Sequence, residues 1–293
     1  MKEGKIVSLK RNFMFVQVFY YHDGIKRLEH FISDYLDIPY EKVKGNLTLL
    51  PRDQQKDNKF SADTQIDLLL KYDNITVNIE VNTSYGEGIK KRNLVFLSRV
   101  MAQNYKKGEK DYHNIGASLQ INLNYLKNSK QDKLVHRYRL YEEEDFEKIF
   151  SPNFQIDEVD MRKADMLQYK CKSEWEKKIY SWCKLFIAED KKTFNEALEE
   201  IEMTEKERED FRKIMEEISS EENIIRMETD LPEDEVIRNT IIYDATQEAK
   251  DEGIKQNQIE TAKNMLKKNM DIKIISEITN LSLEEITQLE KEI

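Results

Sequence analysis

Two runs of residues, 62–72 and 75–83, are separated only by Asp73-Asn74, and no other stretch constrains the fold as tightly. In the second run Val77, Ile79 and Val81 share one face, while Thr76, Asn78, Glu80 and Asn82 share the other. That alternation is the period of a half-buried strand. The first run ends in Leu68-Leu69-Leu70, and Asp and Asn both tolerate positive φ, so Asp73-Asn74 suits a two-residue hairpin turn. With Tyr72 opposite Ile75 the register follows: Lys71 faces Thr76, Leu69 faces Asn78, Asp67 faces Glu80 and Gln65 faces Asn82. Directly opposed residues hold their Cβ atoms about 4.5–5.5 Å apart, and like charges there repel. Either Asp67 and Glu80 point into water from an exposed hairpin, or something compensates them. A divalent cation is the simplest compensator, since Mg²⁺ binds through one or two carboxylates plus waters and phosphate oxygens.

After a turn at residues 84–86, periodicity predicts a helix over residues 87–107. Arg92, Arg99, Gln103 and Lys106 fall on one stripe of it, with Lys91 alongside. The stripe is either a solvated face or a phosphate-binding surface beside the two acids.

Taken in order, Asp67, Glu80-Val81-Asn82, Lys91-Arg92 and a helix ending Gln103-Asn104-Tyr105-Lys106-Lys107 resemble the Rpn family of recombination-promoting nucleases and transposases, part of the PD-(D/E)XK nuclease superfamily. The likeness extends upstream to Asn12-Phe13-Met14-Phe15 and downstream through residues 118–125 into a charged helical tail. It implies an α/β, restriction-endonuclease-like core with a central mixed sheet flanked by helices, then an all-helical C-terminal region. It also implies a metal-dependent DNA endonuclease, hydrolysing phosphodiesters and linked to recombination or transposition, with Mg²⁺ or Mn²⁺ as cofactor and DNA as partner. On this resemblance Asp67 and Glu80 hold the metal, Asn82 positions the attacking water and Arg92 meets the phosphate. Lys91, Arg92, Arg99, Gln103 and Lys106 contact DNA. Two departures stand out: Asn82 replaces the family's Gln and the superfamily's Lys, and upstream Asn12 and Val16 stand where the family has Asp and Lys. They leave open a second reading, a catalytically weak or inactive DNA-binding or scaffolding protein that has kept the fold.

Net charge is −10 over 293 residues, which alone argues against nucleic acid, but it is unevenly spread. Residues 1–140 carry 24 Lys+Arg against 16 Asp+Glu, leaving 23 against 41 in residues 141–293. A basic N-terminal half is what displacing DNA counterions requires. Without an 18-residue apolar run or a secretory leader, a cytoplasmic protein with no membrane contact is expected. Cys171 and Cys183 are expected as reduced thiols, and the four His residues match no zinc-ligand spacing.

The expected organisation is a nuclease-like domain over residues 1–164, a helical region over 165–230, and a long helix with a helix-turn-helix-like tail over 231–293. The first includes a helix that Asp23 caps, carrying Glu29 as a solvated acid or as the acid many such nucleases place on their first helix, and strands at 47–50, 117–125, 136–141 and 154–159. Residues 52–60 are expected as a polar loop. Ser173-x-x-Glu176, Thr204-x-x-Glu207 and Ser282-x-x-Glu285 read as capping boxes. The acidic last helix suits packing or homo-oligomer formation better than the major groove.

Overall fold

The computed structural model describes residues 4–54, 64–83, 87–105, 112–113, 115–125, 132–166, 168–219, 235–268 and 270–291. The expected turn at 84–86, most of the loop at 52–60, and the start of the long helix at 230–233 lie outside the described residues. Two compact units divide the chain, Met1–Glu235 and Val236–Ile293.

In the first unit, α1 (Asn12–Phe19), α2 (Gly24–Leu36) and α3 (Tyr40–Val43) precede β1 (Leu47–Leu50) and the short strands β2 (Asp53–Gln54) and β3 (Thr64–Gln65). There follow β4 (Leu68–Tyr72), β5 (Ile75–Asn82), α4 (Glu87–Gln103), β6 (Ala117–Asn124), β7 (Val135–Glu142) and β8 (Asp145–Asp160). A 3₁₀ turn (Met161–Asp165) leads to α5 (Glu174–Ile187), α6 (Lys191–Glu199) and α7 (Glu205–Ile218). Six strands form one mixed sheet in the order β1-β4-β5-β6-β8-β7, with β5, β6 and β8 mutually parallel and the other neighbours antiparallel. This is the helix-flanked α/β sheet, with helices following it, that the sequence leads one to expect.

The β4–β5 hairpin keeps the expected register from Tyr72↔Ile75 to Leu68↔Ile79, and Asp73 turns through a φ of 49°. Pairing then stops. Gln65 does not oppose Asn82 but pairs with Asp53, because the chain bends at Ile66-Asp67. Arg52 holds the bend, its Nε donating to the carbonyl oxygens of Ile66 and Asp67 at 3.0 Å each.

Nor is β5 half-buried. Its apolar face packs with Leu119, Ile121 and Leu123 of β6 into the main core beneath α1, α2 and α5, which includes Phe15, Phe19, Phe31, Trp182 and Phe186. The polar face is covered too: Thr76, Asn78, Glu80 and Asn82 are all buried, and α4 packs over this side through Asn93, Phe96 and Val100. A polar face under a helix is tolerated only when its groups are hydrogen-bonded, since an unpaired buried amide costs about 1–3 kcal/mol.

The later helix starts follow local capping chemistry, whereas α1, α2 and α3 begin without a side-chain cap. Thr204 and Glu207 form the full reciprocal box, whereas Ser173 accepts from Glu176 N–H but the Glu176 carboxylate takes the Tyr169 hydroxyl and Lys172 N–H instead. Asp23 does not cap α2 through its side chain; it sits in the left-handed region at φ 56°. Gly24 beside it is required, because a Cβ there would lie 2.3 Å from the carbonyl of Phe19. Glu29 is not solvated. It is buried, with Oε1 accepting from Gly45 N–H at 2.7 Å.

In the second unit α8 (Glu235–Leu266), α9 (Ile272–Thr279) and α10 (Leu283–Lys291) close a small core of Ala262, Ile275, Leu281, Ile286 and Leu289. Asn280 ends α9 in the left-handed conformation, and Ser282 and Glu285 form the expected box.

Candidate active site

Asp67 occupies the bend before β4, and Glu80 lies two residues from the end of β5. The bend turns Asp67 toward β5, so Oδ2 accepts from Val81 N–H at 2.8 Å, while Asp67 N–H donates to Glu80 Oε1 at 3.4 Å. Asn12, at the start of α1, donates its amide to Asp67 Oδ1 at 2.5 Å. Arg92 reaches down from α4: Nη2 lies 3.3 Å from Glu80 Oε2 and donates to Asn82 Oδ1 at 2.9 Å. Asp67, Glu80, Asn82 and Arg92 therefore meet in one cluster at the end of β5. The two carboxylates are 4% and 2% exposed, so their charges are poorly solvated.

Electrostatics follow from that burial. Burial first, then the neighbouring Asp67 charge, pushes the Glu80 carboxyl up to about 8 against the pull of Arg92. Burial likewise raises Asp67, opposed by the Val81 N–H and by Arg92, Arg52 and Asn12. The pair therefore holds a proton to higher pH than free carboxylates do, the outcome expected when two carboxylates share a dry site.

Around Asn82 the polar face of β5, β6 and β8 is a ladder of amides. Asn82 Nδ2 donates to Asn124 Oδ1 at 3.0 Å, and Asn124 Nδ2 donates to Glu158 Oε2. From the other side Asn78 donates to Gln120 at 2.8 Å, Gln120 to Asn122 at 2.9 Å, and Asn122 to Glu158 Oε1 at 2.8 Å. Asn93 of α4 adds a second donor to Asn122 Oδ1 at 2.8 Å.

A family model described as PD-(D/E)XK nuclease family transposase matches residues 9–245, which takes in the whole sheet and every member of this cluster. The chain belongs to that family. No curated protein and no solved structure matches it.

Membership of this nuclease family brings a nuclease-type function and DNA as the substrate it implies. PD-(D/E)XK nucleases typically use divalent metals, and the donors here suit one. Among the described residues no three His, Cys, Asp or Glu side chains converge, so the site offers two carboxylates. Asp67 accepts from Asn12 and Val81 N–H, and Glu80 from Asp67 N–H, Arg92 and Asn78, while an ionised carboxylate offers about four lone-pair sites, which leaves hard oxygen ligands for an ion that keeps most of its waters. Among the described residues no helix is long and apolar enough to cross a membrane.

The other residues of the predicted stripe are not drawn into the cluster. Lys91 and Gln103 are exposed on α4, and Arg99 is half-buried beside Ser98 and Ala102. Lys106 lies outside the described residues. Leu94 and Val95, at 45% and 50% exposure, interrupt the basic character of the outer face. Sequence reasoning passed over Asn12 as a partner of Asp67, Arg52 as the clamp on the bend, and Asn124 and Glu158 as partners of Asn82. One signal was present: the positions of β6 on this face are Ser118, Gln120, Asn122 and Asn124, one hydroxyl and three amides where a solvated strand would carry charge.

Proposed function

We propose that this chain is a metal-dependent DNA endonuclease, hydrolysing phosphodiesters in recombination or transposition. The observation that carries the reading is the meeting of Asp67 and Glu80 on neighbouring backbone segments, with one guanidinium bridging Glu80 and Asn82. Asp67 and Glu80 would hold Mg²⁺ or Mn²⁺. When bound, such an ion polarises the scissile phosphate and lowers the pKa of an attacking water.

The residues themselves do the rest. Asp67 is held by Asn12 and Val81 N–H and cannot swing away, so its free lone pairs are preorganised for a cation. Arg92 brings a planar guanidinium whose positive charge, held close to the two carboxylates, would stabilise the charge that develops on the phosphate. Asn82 is a neutral amide that presents its oxygen to Arg92 and orients groups without supplying charge. Lys91, Arg99 and Gln103 on α4 would track the DNA backbone. The exposed Ile274, Ile278 and Leu283 of the second unit support homo-oligomer formation through the C-terminal helices.

The test is nicking of supercoiled plasmid by the full chain in Mg²⁺, Mn²⁺ or chelator, against Asp67→Ala. Metal-dependent nicking lost in the variant supports the endonuclease. DNA binding without nicking in any metal would favour the binding or scaffolding protein, which Asn82 in place of Lys already allows.

A further inference from the structure

Glu158 on β8 is buried, 5% exposed, and lies two hydrogen bonds from Asn82. Its two oxygens end both amide chains described above, and an ionised carboxylate can only accept. Asn122 and Asn124 must therefore both turn their NH₂ groups toward it. That places Asn124 Oδ1 against Asn82, which must answer with its own NH₂, and so leaves Asn82 Oδ1 facing Arg92. Every amide in the network donates in the direction of Glu158. The far end of one chain shows the cost: Asn78 Oδ1 has no hydrogen-bond partner among the described residues. Burial raises the Glu158 carboxyl, and the Asn124 and Asn122 amides with Lys90 oppose it.

We propose that Glu158 is a positioning residue: through Asn124 it fixes which end of the Asn82 amide faces Arg92 and the carboxylate pair. Its effect on cleavage rests on the endonuclease reading; its effect on the amide does not. Glu158→Gln makes the distinction sharp. The substituted side chain keeps one acceptor and gains one donor, so one of its two neighbours must reverse. Reversing Asn122 would set its NH₂ against two donors, Asn93 and Gln120, whereas reversing Asn124 opposes only Asn82. The reversal falls on Asn124 and Asn82, and Asn82 Nδ2 then meets Arg92 Nη2, two donors with no acceptor between them.

The rescue is equally specific. In Asn124→Asp with Glu158→Gln the carboxylate moves one link along the chain. It accepts from the new amide at position 158 on one side and from Asn82 on the other, and the oxygen of that new amide still accepts from Asn122, so every hydrogen bond and the total charge are conserved. Two readouts on the full chain test this. One is the Asn82 side-chain amide resonance in a ¹⁵N spectrum, assigned by its loss in Asn82→Asp; the other is metal-dependent nicking. Glu158→Gln is expected to shift the resonance and to lower nicking about 10–100-fold, the range for groups that orient a site from behind it, and the double variant is expected to restore both. An unmoved resonance in Glu158→Gln, or a double variant no nearer wild type than the single one, would overturn the proposal. If the wild type itself does not nick, the endonuclease reading is lost and the resonance alone decides the role of Glu158.

Discussion

Asp67→Asn should abolish cleavage and yet make the metal-free protein more stable. The variant keeps its hydrogen bonds: the oxygen of the new amide can accept from Val81 N–H while its NH₂ donates to a reversed Asn12 amide. What it loses is one of two buried like charges. Glu80 rises from its ordinary 4.5 to about 8, and at about 1.4 kcal/mol per unit, full ionisation of the site costs on the order of 5 kcal/mol. Burial is the larger cause and Asp67 the second, so removing Asp67 recovers on the order of 1–2 kcal/mol. The folded chain holds its proton more tightly than the unfolded chain between pH 4.5 and about 8. Wild-type stability is therefore full below that window and declines as pH rises through it. The gain in Asp67→Asn should appear at pH 9 as a rise in Tm of roughly 2–6 °C, and shrink toward zero near pH 4. Thermal unfolding followed by circular dichroism in chelator, from pH 4 to 9, measures it. A variant less stable than wild type at pH 9, or a gain that does not depend on pH, would refute the reasoning.

Further expectations concern the cation, the DNA contacts and the tail. Arg92→Lys should lower nicking about 10²–10³-fold with little change in DNA affinity, because an ammonium cannot bridge Glu80 and Asn82 in the way the guanidinium does; equal losses in both quantities would assign Arg92 to binding alone. Replacing Lys91 and Arg99 together by Ala should weaken DNA binding and flatten the slope of log K against log salt by about one unit per lost phosphate contact, and an unchanged slope would place the DNA elsewhere. Deleting residues 236–293 should leave the first unit cooperatively folded while reducing any oligomer seen by light scattering; an insoluble remainder would show that the units are interdependent.

The register of the β4–β5 hairpin was legible because it depends on local facts, a two-residue turn and an alternating strand. The break at Ile66-Asp67 was not, since it depends on Arg52, 14 and 15 residues away in the chain. Period-2 alternation says which residues share a face but not what covers it, so β5 read as half-solvated although α4 buries its polar side. The amide run of β6 was the clue that this face is dry. Glu29 illustrates the same limit: an acid on an amphipathic helix reads as solvated until the Gly45 N–H that it caps is placed beside it. Asn12 drew notice only as a departure from a family pattern, and its amide on Asp67 needs α1 and the bend to be brought together in space.

The most direct test of the nuclease site is the single-turnover rate of Mg²⁺-dependent phosphodiester cleavage by wild type and by Asp67→Asn, the variant expected to be folded and at least as stable. The expected result is measurable cleavage in the wild type that chelator removes, and none above background in Asp67→Asn. Equal rates in the two proteins, or a wild-type rate indifferent to chelator, would contradict a metal site built from Asp67 and Glu80.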